Sequence, residues 1–490
     1  MSSIVGRKDE LKILDSAYVS PSPQFIALYG RRRVGKTFLV RNAFKDRKEA
    51  LFFSITGIKN GSLQEQLTGF SEGLVRAFGV PEGSAKVPNN WRDAFKFLTD
   101  YIELSNKKKI VLFFDEFPWM VTPNSRLIQM LEYFWNHYWS QDGRIKLIIC
   151  GSSGGWIVKN IINNKGGLYN RVTKRIHLEP LNLAQTKEYL VHAKIKLNER
   201  QIADIYMVLG GIPFYLSQIE PGATAVQTIE RLAFKKNSFL MSEFTNLYET
   251  LFGSQEGHIE LARTIAQHHY GIGQEDLASQ FKHISSGGRL ISWLEDLEEA
   301  GFIQRFKPFK HARRGVYYKM IDEYSLFYFH WIEPIQETLL EKGMRKGYWE
   351  RIQNSAQWRS WSGYAFEALC YKHVPQISIA LQLSPTAIPY AWRYVPARVS
   401  KDQGAQVDLL FDRDDGAITL CEIKYSLNEF VIDKQYAALL SKKIEAFKKR
   451  TKTNKLVFLA FVSASGLKPS LYAEAMVSGL VDLEDLFQKE

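Results

Sequence analysis

An apolar run, Phe25-Ile26-Ala27-Leu28-Tyr29, leads directly into Gly30-Arg31-Arg32-Arg33-Val34-Gly35-Lys36-Thr37. This is a full G-x-x-x-x-G-K-[ST] match in a strand-loop-helix setting. Glycines let backbone N–H groups curl around a phosphate, the lysine reaches the β and γ oxygens, and the hydroxyl at the helix start is offered to Mg²⁺. The nucleotide-binding set read from this stretch is Gly30, Arg33, Val34, Gly35, Lys36, Thr37 and Phe38. A second apolar run, Ile110 to Phe114, ends in Asp115-Glu116, which places tandem acids at the carboxyl edge of a sheet beside the loop. Asp115 is expected to share Mg²⁺ with Thr37, and Glu116 to polarise the attacking water as general base. Acids often cap strands in solvent, and it is the pairing with the loop that selects the catalytic reading. A third run, Leu147 to Cys150, precedes Gly151-Ser152-Ser153, where the Ser152 hydroxyl either senses the γ-phosphate or only forms a turn. Arg171, in LYNRVTKRIHLEPL, is either an arginine finger for phosphoryl transfer or a surface ion-pair partner.

A second group of acids lies near the carboxyl terminus. Strands at 406–412 and 417–424, joined by the polar turn Asp412 to Gly416, bring Asp408 beside Glu422. Glu422 and Lys424 are i and i+2 on one strand and therefore share a face. Two such carboxylates form a hard-oxygen cradle for Mg²⁺ or Mn²⁺, and the lysine positions or deprotonates water. Taken alone, the triplet reads by default as a salt-bridged polar face. The acidic helix YAFEALCYKHV before it and the αββαβ order favour phosphodiester chemistry. The basic run Lys442, Lys443, Lys448, Lys449, Arg450, Lys452 and Lys455 is either a phosphate-tracking surface or a solubilising face.

The elements that must position these residues fill a chain of 490 residues, enough for about three domains. Short apolar strands alternating with helices over 1–215 predict a parallel sheet covered on both faces. Residues 216–330 read as a helical extension followed by three amphipathic helices, HIELARTIAQHH, QEDLASQF and GRLISWLEDLEEAGFI, then an alternating segment at Gly315–Met320. That order resembles a winged helix-turn-helix. Gly287 to Trp293 would open its recognition helix, with Lys307, Lys310, His311, Arg313 and Arg314 at the wing. Glu295, Asp296, Glu298 and Glu299 on the same helix oppose a DNA backbone, so a lid that transmits nucleotide state stands beside the DNA-binding reading. Residues 331–360 read as a connecting helical region and 361–490 as a small α/β domain with a mixed sheet.

Lysine and arginine number 64 against 52 acids, a net charge of +12, which attracts polyanions. The three cysteines, Cys150, Cys370 and Cys421, form neither a disulfide framework nor a metal clip. The amino terminus is charged where a signal peptide is apolar, and no run approaches a membrane span, so a cytoplasmic protein without membrane attachment is expected.

Val5-Gly6-Arg7-Lys8-Asp9-Glu10-Leu11, the phosphate loop, Leu112 to Glu116 and Gly210-Gly211-Ile212-Pro213-Phe214-Tyr215-Leu216 together resemble the archaeal-type ATPase family of the AAA+/STAND lineage. The resemblance implies that Gly6 and Arg7 lie near the adenine and that Pro213 packs against the nucleotide from a lid. The tail resembles the PD-(D/E)xK nuclease superfamily, with Asp408, Glu422 and Lys424 on the D, E and K, Glu367 as the additional helical acid, and Val407 where the leading proline would stand. The fold so implied is α/β: a P-loop AAA+-type parallel sheet domain, a winged helix-turn-helix and a restriction-endonuclease-like domain. The implied function is an ATP-driven, oligomeric enzyme acting on DNA with Mg²⁺ or Mn²⁺, in defence or repair. The alternative is a nucleotide-switched DNA- or protein-binding signalling ATPase whose tail does not cut.

Overall fold

The computed structural model describes residues 4–81, 86–164, 166–253, 256–281, 288–310, 315–394 and 404–489. Gly287, His311, Arg313 and Arg314 of the expected helix-turn-helix lie outside these residues. The chain divides into two compact units, Met1–Pro180 and Leu181–Glu490.

The first unit is built on five parallel strands, β1 (Gln24–Tyr29), β2 (Ala50–Thr56), β3 (Lys109–Asp115), β4 (Ile145–Gly151) and β5 (Lys174–His177), in the order β2-β3-β4-β1-β5. The three strands expected from their apolar runs are the three central ones. A parallel strand covered on both faces buries every side chain, which is why β3 and β4 read as continuous hydrophobic sequence. Helices Leu63–Phe78 and Trp91–Leu104 start at side-chain caps, Ser62 and Asn90, whose oxygens satisfy otherwise unpaired N–H groups. Their inner faces contribute Phe70 and Trp91, which pack edge-on with each other, and Phe95, which packs edge-on with Phe114, Phe134 and Trp139 in the core under β3. The site-bearing strand ends therefore rest on a dense aromatic layer.

The second unit opens with helices Leu183–His192 and Glu199–Leu209, so the compact division falls ahead of the expected boundary at 215. Helices Ala225–Ala233 and Phe239–Phe252 follow, then helix Glu256–Gln267, β6 (Ile272–Gly273), helix Gln274–Gln280, helix Arg289–Glu299, β7 (Ile303–Phe306) and β8 (Tyr317–Met320). The short strands form an antiparallel sheet ordered β6-β8-β7. The third amphipathic pattern ends earlier than its apolar spacing suggests. Gly301 takes φ +75°, the left-handed conformation that glycine tolerates, and Ile303 then opens β7.

Helix Ala356–Lys372 begins at Ser355, whose side chain accepts from the Trp358 N–H, and so reaches back across the boundary expected at 361. Trp358 and Trp361 are buried, and this packing extends the helix into a segment that has no clear punctuation in sequence. The final sheet contains β9 (Ile388–Tyr394), β10 (Ala405–Asp412), β11 (Ala417–Lys424), β12 (Leu456–Ser463) and β13 (Val477–Val481), ordered β13-β12-β11-β10-β9. β9, β10 and β11 run antiparallel, while β11, β12 and β13 are parallel. Helix Lys434–Thr451 links β11 to β12. The expected αββαβ core is present, with β9 and β13 added at its two edges.

Candidate functional site

The phosphate loop is wound by left-handed residues: Gly30 at φ +147°, Arg33 at +72° and Gly35 at +96°. A Cβ on Gly30 would collide with the carbonyl oxygen of Leu178, so this position requires glycine. Lys36 is 5% exposed. Its ammonium donates to the carbonyls of Gly30 (2.9 Å) and Arg31 (3.0 Å) and to Ser152 Oγ (3.3 Å). Thr37 Oγ1 donates to Asp115 Oδ2 at 2.7 Å, and Asp115 Oδ1 accepts from the Glu116 N–H at 3.2 Å. Glu116, at φ +47°, turns the chain so that its carboxylate accepts from both the N–H of Ser152, at 3.0 Å, and the Ser152 hydroxyl. Lys36, Thr37, Asp115, Glu116 and Ser152 thus form one network drawn from the start of helix Lys36–Phe44, which follows β1, and from the ends of β3 and β4. The hydroxyl and the buried carboxylate at Thr37 and Asp115 are a donor pair that suits Mg²⁺.

Around this network, Arg7 Nη2 donates to the Val34 carbonyl at 3.2 Å and Nη1 to Glu10 Oε1 at 3.3 Å, tying the Gly6-Arg7 segment to the loop. Gly6 and Val34 are buried, while Phe38 is exposed. Arg171 lies in an exposed turn, its N–H on the Leu168 carbonyl at 3.0 Å, and among the described residues it stands outside the network.

In the second unit, the β10–β11 register pairs Leu409 with Cys421, and one step further sets Asp408 opposite Glu422. Glu422 is 4% exposed. Its Oε1 accepts from Lys424 Nζ (2.8 Å) and Tyr436 OH (2.6 Å), and its Oε2 from Lys443 Nζ (2.6 Å). Burial works to raise this carboxyl, but Lys424 and Lys443 outweigh it and hold it at about 2. Asp408 Oδ1 accepts from Gln406 Nε2 at 2.7 Å, and burial, then the charge of Glu422, push the Asp408 carboxyl up. Glu367 Oε2 lies 3.8 Å from Lys319 Nζ, and burial, then Asp408, lift the Glu367 carboxyl to about 8. Among the described residues, no group of three His, Cys, Asp or Glu side chains is arranged to hold a metal ion. Each of these acids already faces a lysine, a hydroxyl or an amide, so as arranged the set does not fit a divalent cation.

Residues 4–219 match the family model of an ATPase domain predominantly from Archaea. This segment is an archaeal-type ATPase domain. The chain is also similar to an uncharacterised protein of Methanocaldococcus jannaschii, 25% identical over 377 residues, which cover 76% of this chain and 78% of the relative. An uncharacterised ATP-binding protein of the same organism is 43% identical over 44 residues, 9% of this chain and 75% of the relative. Among solved structures, a Walker-type ATPase of Pyrococcus abyssi is 18% identical with a TM-score of 0.48, covering 66% of this chain and 96% of its own. The ORC2 protein of Aeropyrum pernix is 13% identical with a TM-score of 0.46, covering 69% and 95%.

The segment matched to the ATPase domain extends past the compact first unit and includes Gly210 to Pro213. In the second unit the N–H of Leu181 donates to the Gly211 carbonyl at 2.7 Å, and a Cβ on Gly211 would collide with the Leu181 carbonyl. The glycine therefore has a local reason in close backbone approach, and Pro213 begins the short helix Pro213–Leu216. At the tail, sequence reasoning missed Gln406, Tyr436 and Lys319 and treated Lys443 only as part of a charge run. Tyr436 and Lys443 are seven residues apart and share a helix face, a spacing that was available as a signal. Lys319 carries none, since only tertiary packing brings it to Glu367. The basic run is also divided: Lys443 turns inward to Glu422, and Lys455 Nζ bonds Asp412 Oδ1 at 2.7 Å.

Proposed function

We propose that this protein hydrolyses ATP to act on DNA, and that the state of its ATPase domain governs phosphodiester cleavage at Asp408, Glu422 and Lys424. The observation that carries the ATPase half is the single network joining Lys36, Thr37, Asp115, Glu116 and Ser152. Mg²⁺, held at Thr37 and Asp115, would supply charge neutralisation at the phosphates. Lys36 moves its ammonium from the Gly30 and Arg31 carbonyls to phosphate oxygens. Glu116 takes the proton of the attacking water, and Ser152, bonded to both Lys36 and Glu116, reports which partner each has. Gly6 and Arg7 flank the base, as the family resemblance implies. The exposed Arg171 is available to a neighbouring subunit as an arginine finger, which makes a homo-oligomer the working form.

A DNA role is supported by the helix, strand and hairpin order of Glu256–Met320, which suits a winged helix-turn-helix. Two acids on its third helix are already matched: Asp296 Oδ2 to His258 Nε2 at 3.2 Å and Glu298 to Arg305 at 3.5 Å. Lys307 and Lys310 are exposed nearby. The cutting role rests on Asp408 facing Glu422 with Lys424 on the same side. The pairing of those acids with lysines favours a second reading, a nucleotide-switched binding protein whose tail does not cut.

Phosphate release and plasmid nicking in Mg²⁺ or Mn²⁺ test both halves. Lys36→Ala is expected to lower ATP turnover by about 100-fold or more, and equal turnover would remove the ATPase assignment of the loop. Nicking by the wild type that is lost in Glu422→Ala supports cutting; identical nicking by the two discards it. ATP-dependent DNA retention without nicking selects the second reading.

A further inference from the structure

Between helix Ala356–Lys372, the start of helix Glu199–Leu209 and the segment that follows β11 lies a cavity of about 370 Å³. Arg200, Trp358, Arg359, Tyr425, Glu429 and Phe430 are in its wall, and none of them belongs to the phosphate-loop network or the acid pair. The Arg200 guanidinium lies 3.7 Å from the Tyr425 ring centroid, and the Tyr425 hydroxyl anchors that ring by donating to Asp204 Oδ1 at 2.6 Å. Arg200 Nη1 donates to the Ser426 carbonyl at 2.7 Å and to Ser465 Oγ at 3.2 Å. These bonds orient the guanidinium plane, and its Nε and Nη2 have no acceptor among the described residues. Arg359, exposed near the start of its helix, donates Nη1 to the Asn354 carbonyl at 3.3 Å. Among the described residues neither arginine forms an ion pair, and Glu429, the acid of the wall, is exposed to solvent. Phe430 is pinned by its backbone, its N–H on the Gly466 carbonyl at 3.0 Å and its carbonyl accepting from the Lys468 N–H at 2.9 Å. Its ring centroid lies 5.7 Å from Lys424 Nζ.

We propose that this cavity is a nucleotide site distinct from the phosphate loop, taking one unpaired nucleotide with its base on the aromatic wall and its phosphate on the two arginine forks. The chemistry is that of a nucleoside monophosphate, either free or as one unit of a single strand. A base has a flat π face that stacks on an aromatic ring or on a guanidinium plane, and Phe430, Tyr425 and Arg200 bring both kinds of surface to one cavity. A phosphate accepts the paired N–H groups of a guanidinium, and Arg200 and Arg359 supply two such charges that no carboxylate cancels. Size sharpens the choice. Ligand cavities run from about 300 to 1,000 Å³, and this one stands at the small end, with room for one nucleotide and not for paired bases. Phe430 also packs on Tyr436, ring centroids 5.0 Å apart, on the helix that exposes Lys442, Lys448 and Lys449. A strand with one nucleotide seated in the cavity therefore has further cations for its neighbouring phosphates. The site needs no metal ion and breaks no bond, so it does not depend on cleavage by the tail.

The test uses the full-length protein with excess Mg²⁺ and ADP, which keeps the phosphate loop occupied. Fluorescence anisotropy reads a labelled single-stranded oligothymidylate and a blunt duplex, and calorimetry reads deoxythymidine monophosphate, for wild type, Arg359→Ala and Phe430→Leu. Arg359 is exposed, so its replacement leaves the fold intact. Arg359→Ala should weaken single-strand binding about tenfold or more, and Phe430→Leu about fivefold or more, while both bind the duplex within about twofold of wild type. A strand of abasic sites should lose the Phe430 effect and keep the Arg359 effect. Single-strand affinities of both variants within about twofold of wild type overturn the proposal. A wild type that binds neither the single strand nor the monophosphate also overturns it, and its duplex binding then decides the DNA reading separately. The sources separate in the same experiment. Monophosphate binding that Arg359→Ala loses, in a protein that retains no DNA, keeps the site for a free nucleotide and removes the DNA reading; loss confined to the single strand assigns the site to a nucleic-acid chain.

Discussion

Glu116 is a non-glycine residue in left-handed backbone conformation at the end of a buried strand, an arrangement that persists only where surrounding contacts hold it. Here the contacts are its own N–H on Asp115 and two donors from Ser152 on its carboxylate. The strain aims the carboxylate across the sheet edge toward β4. Glu116→Gln keeps the length of the side chain and its capacity to accept from Ser152, but removes the base. Turnover is therefore expected to fall by about 10²–10⁴-fold while nucleotide affinity changes little. Phosphate release measured alongside binding of a fluorescent nucleotide checks this; a parallel loss of affinity would make Glu116 a scaffold residue. These five network residues were legible in sequence because Asp115, Glu116 and Ser152 lie within two residues of an apolar strand end and Lys36 and Thr37 close the glycine-bounded motif that follows β1. Lys319, Gln406 and Tyr436 were not, because their partners are set by packing between elements that no local spacing links.

At the scale of elements, legibility followed burial. β4 is buried throughout, β1 and β3 are buried in all but one end residue, and all three stood out as apolar runs, whereas β9 carries Pro389 and an exposed Ile388, and β13 carries Gly479, features that read as loop. Helix Ala356–Lys372 is instructive in another way, since its last turn leads into His373, an imidazole buried without charge. Its Nδ1 bonds the Leu369 carbonyl at 2.8 Å, and its Nε2 accepts the Leu183 N–H at 3.0 Å. Burial lowers its pKa to about 4, so the folded state disfavours the proton that the unfolded chain accepts near 6.5. The folded pKa is the lower one, so stability is complete above about 6.5 and declines as pH falls toward 4. The loss, fully developed, is on the order of 3 kcal/mol. Denaturant midpoints taken from pH 7 to 4.5 should fall for wild type and fall less for His373→Gln, a difference that isolates this ring from His269 and His330, whose pKa values burial also lowers. Parallel curves for the two proteins would show that His373 is not the group responsible.

Over the whole molecule, the excess of +12 matters only where it is free to meet a polyanion. The interior takes part of it: Lys36, Lys146 and Arg7 are buried, Lys424 and Lys443 answer Glu422, Lys319 answers Glu367, and Lys455 answers Asp412. Helix Lys434–Thr451 still presents Lys442, Lys448 and Lys449 exposed to solvent, on the element that sends Lys443 to the acid pair. A backbone tracking that helix would therefore be delivered to Glu422 by the helix that helps hold it. Each phosphate neutralised contributes about 0.9 to the slope of log affinity against log salt. Replacing Lys442, Lys448 and Lys449 together by alanine should then reduce that slope by about 3 while ATP turnover without DNA keeps its wild-type value. Filter binding or fluorescence anisotropy across a salt series reads the slope directly. A triple variant that binds DNA with the wild-type slope would take the proposed nucleic-acid surface off this helix, and a wild type that binds no DNA would discard that surface altogether.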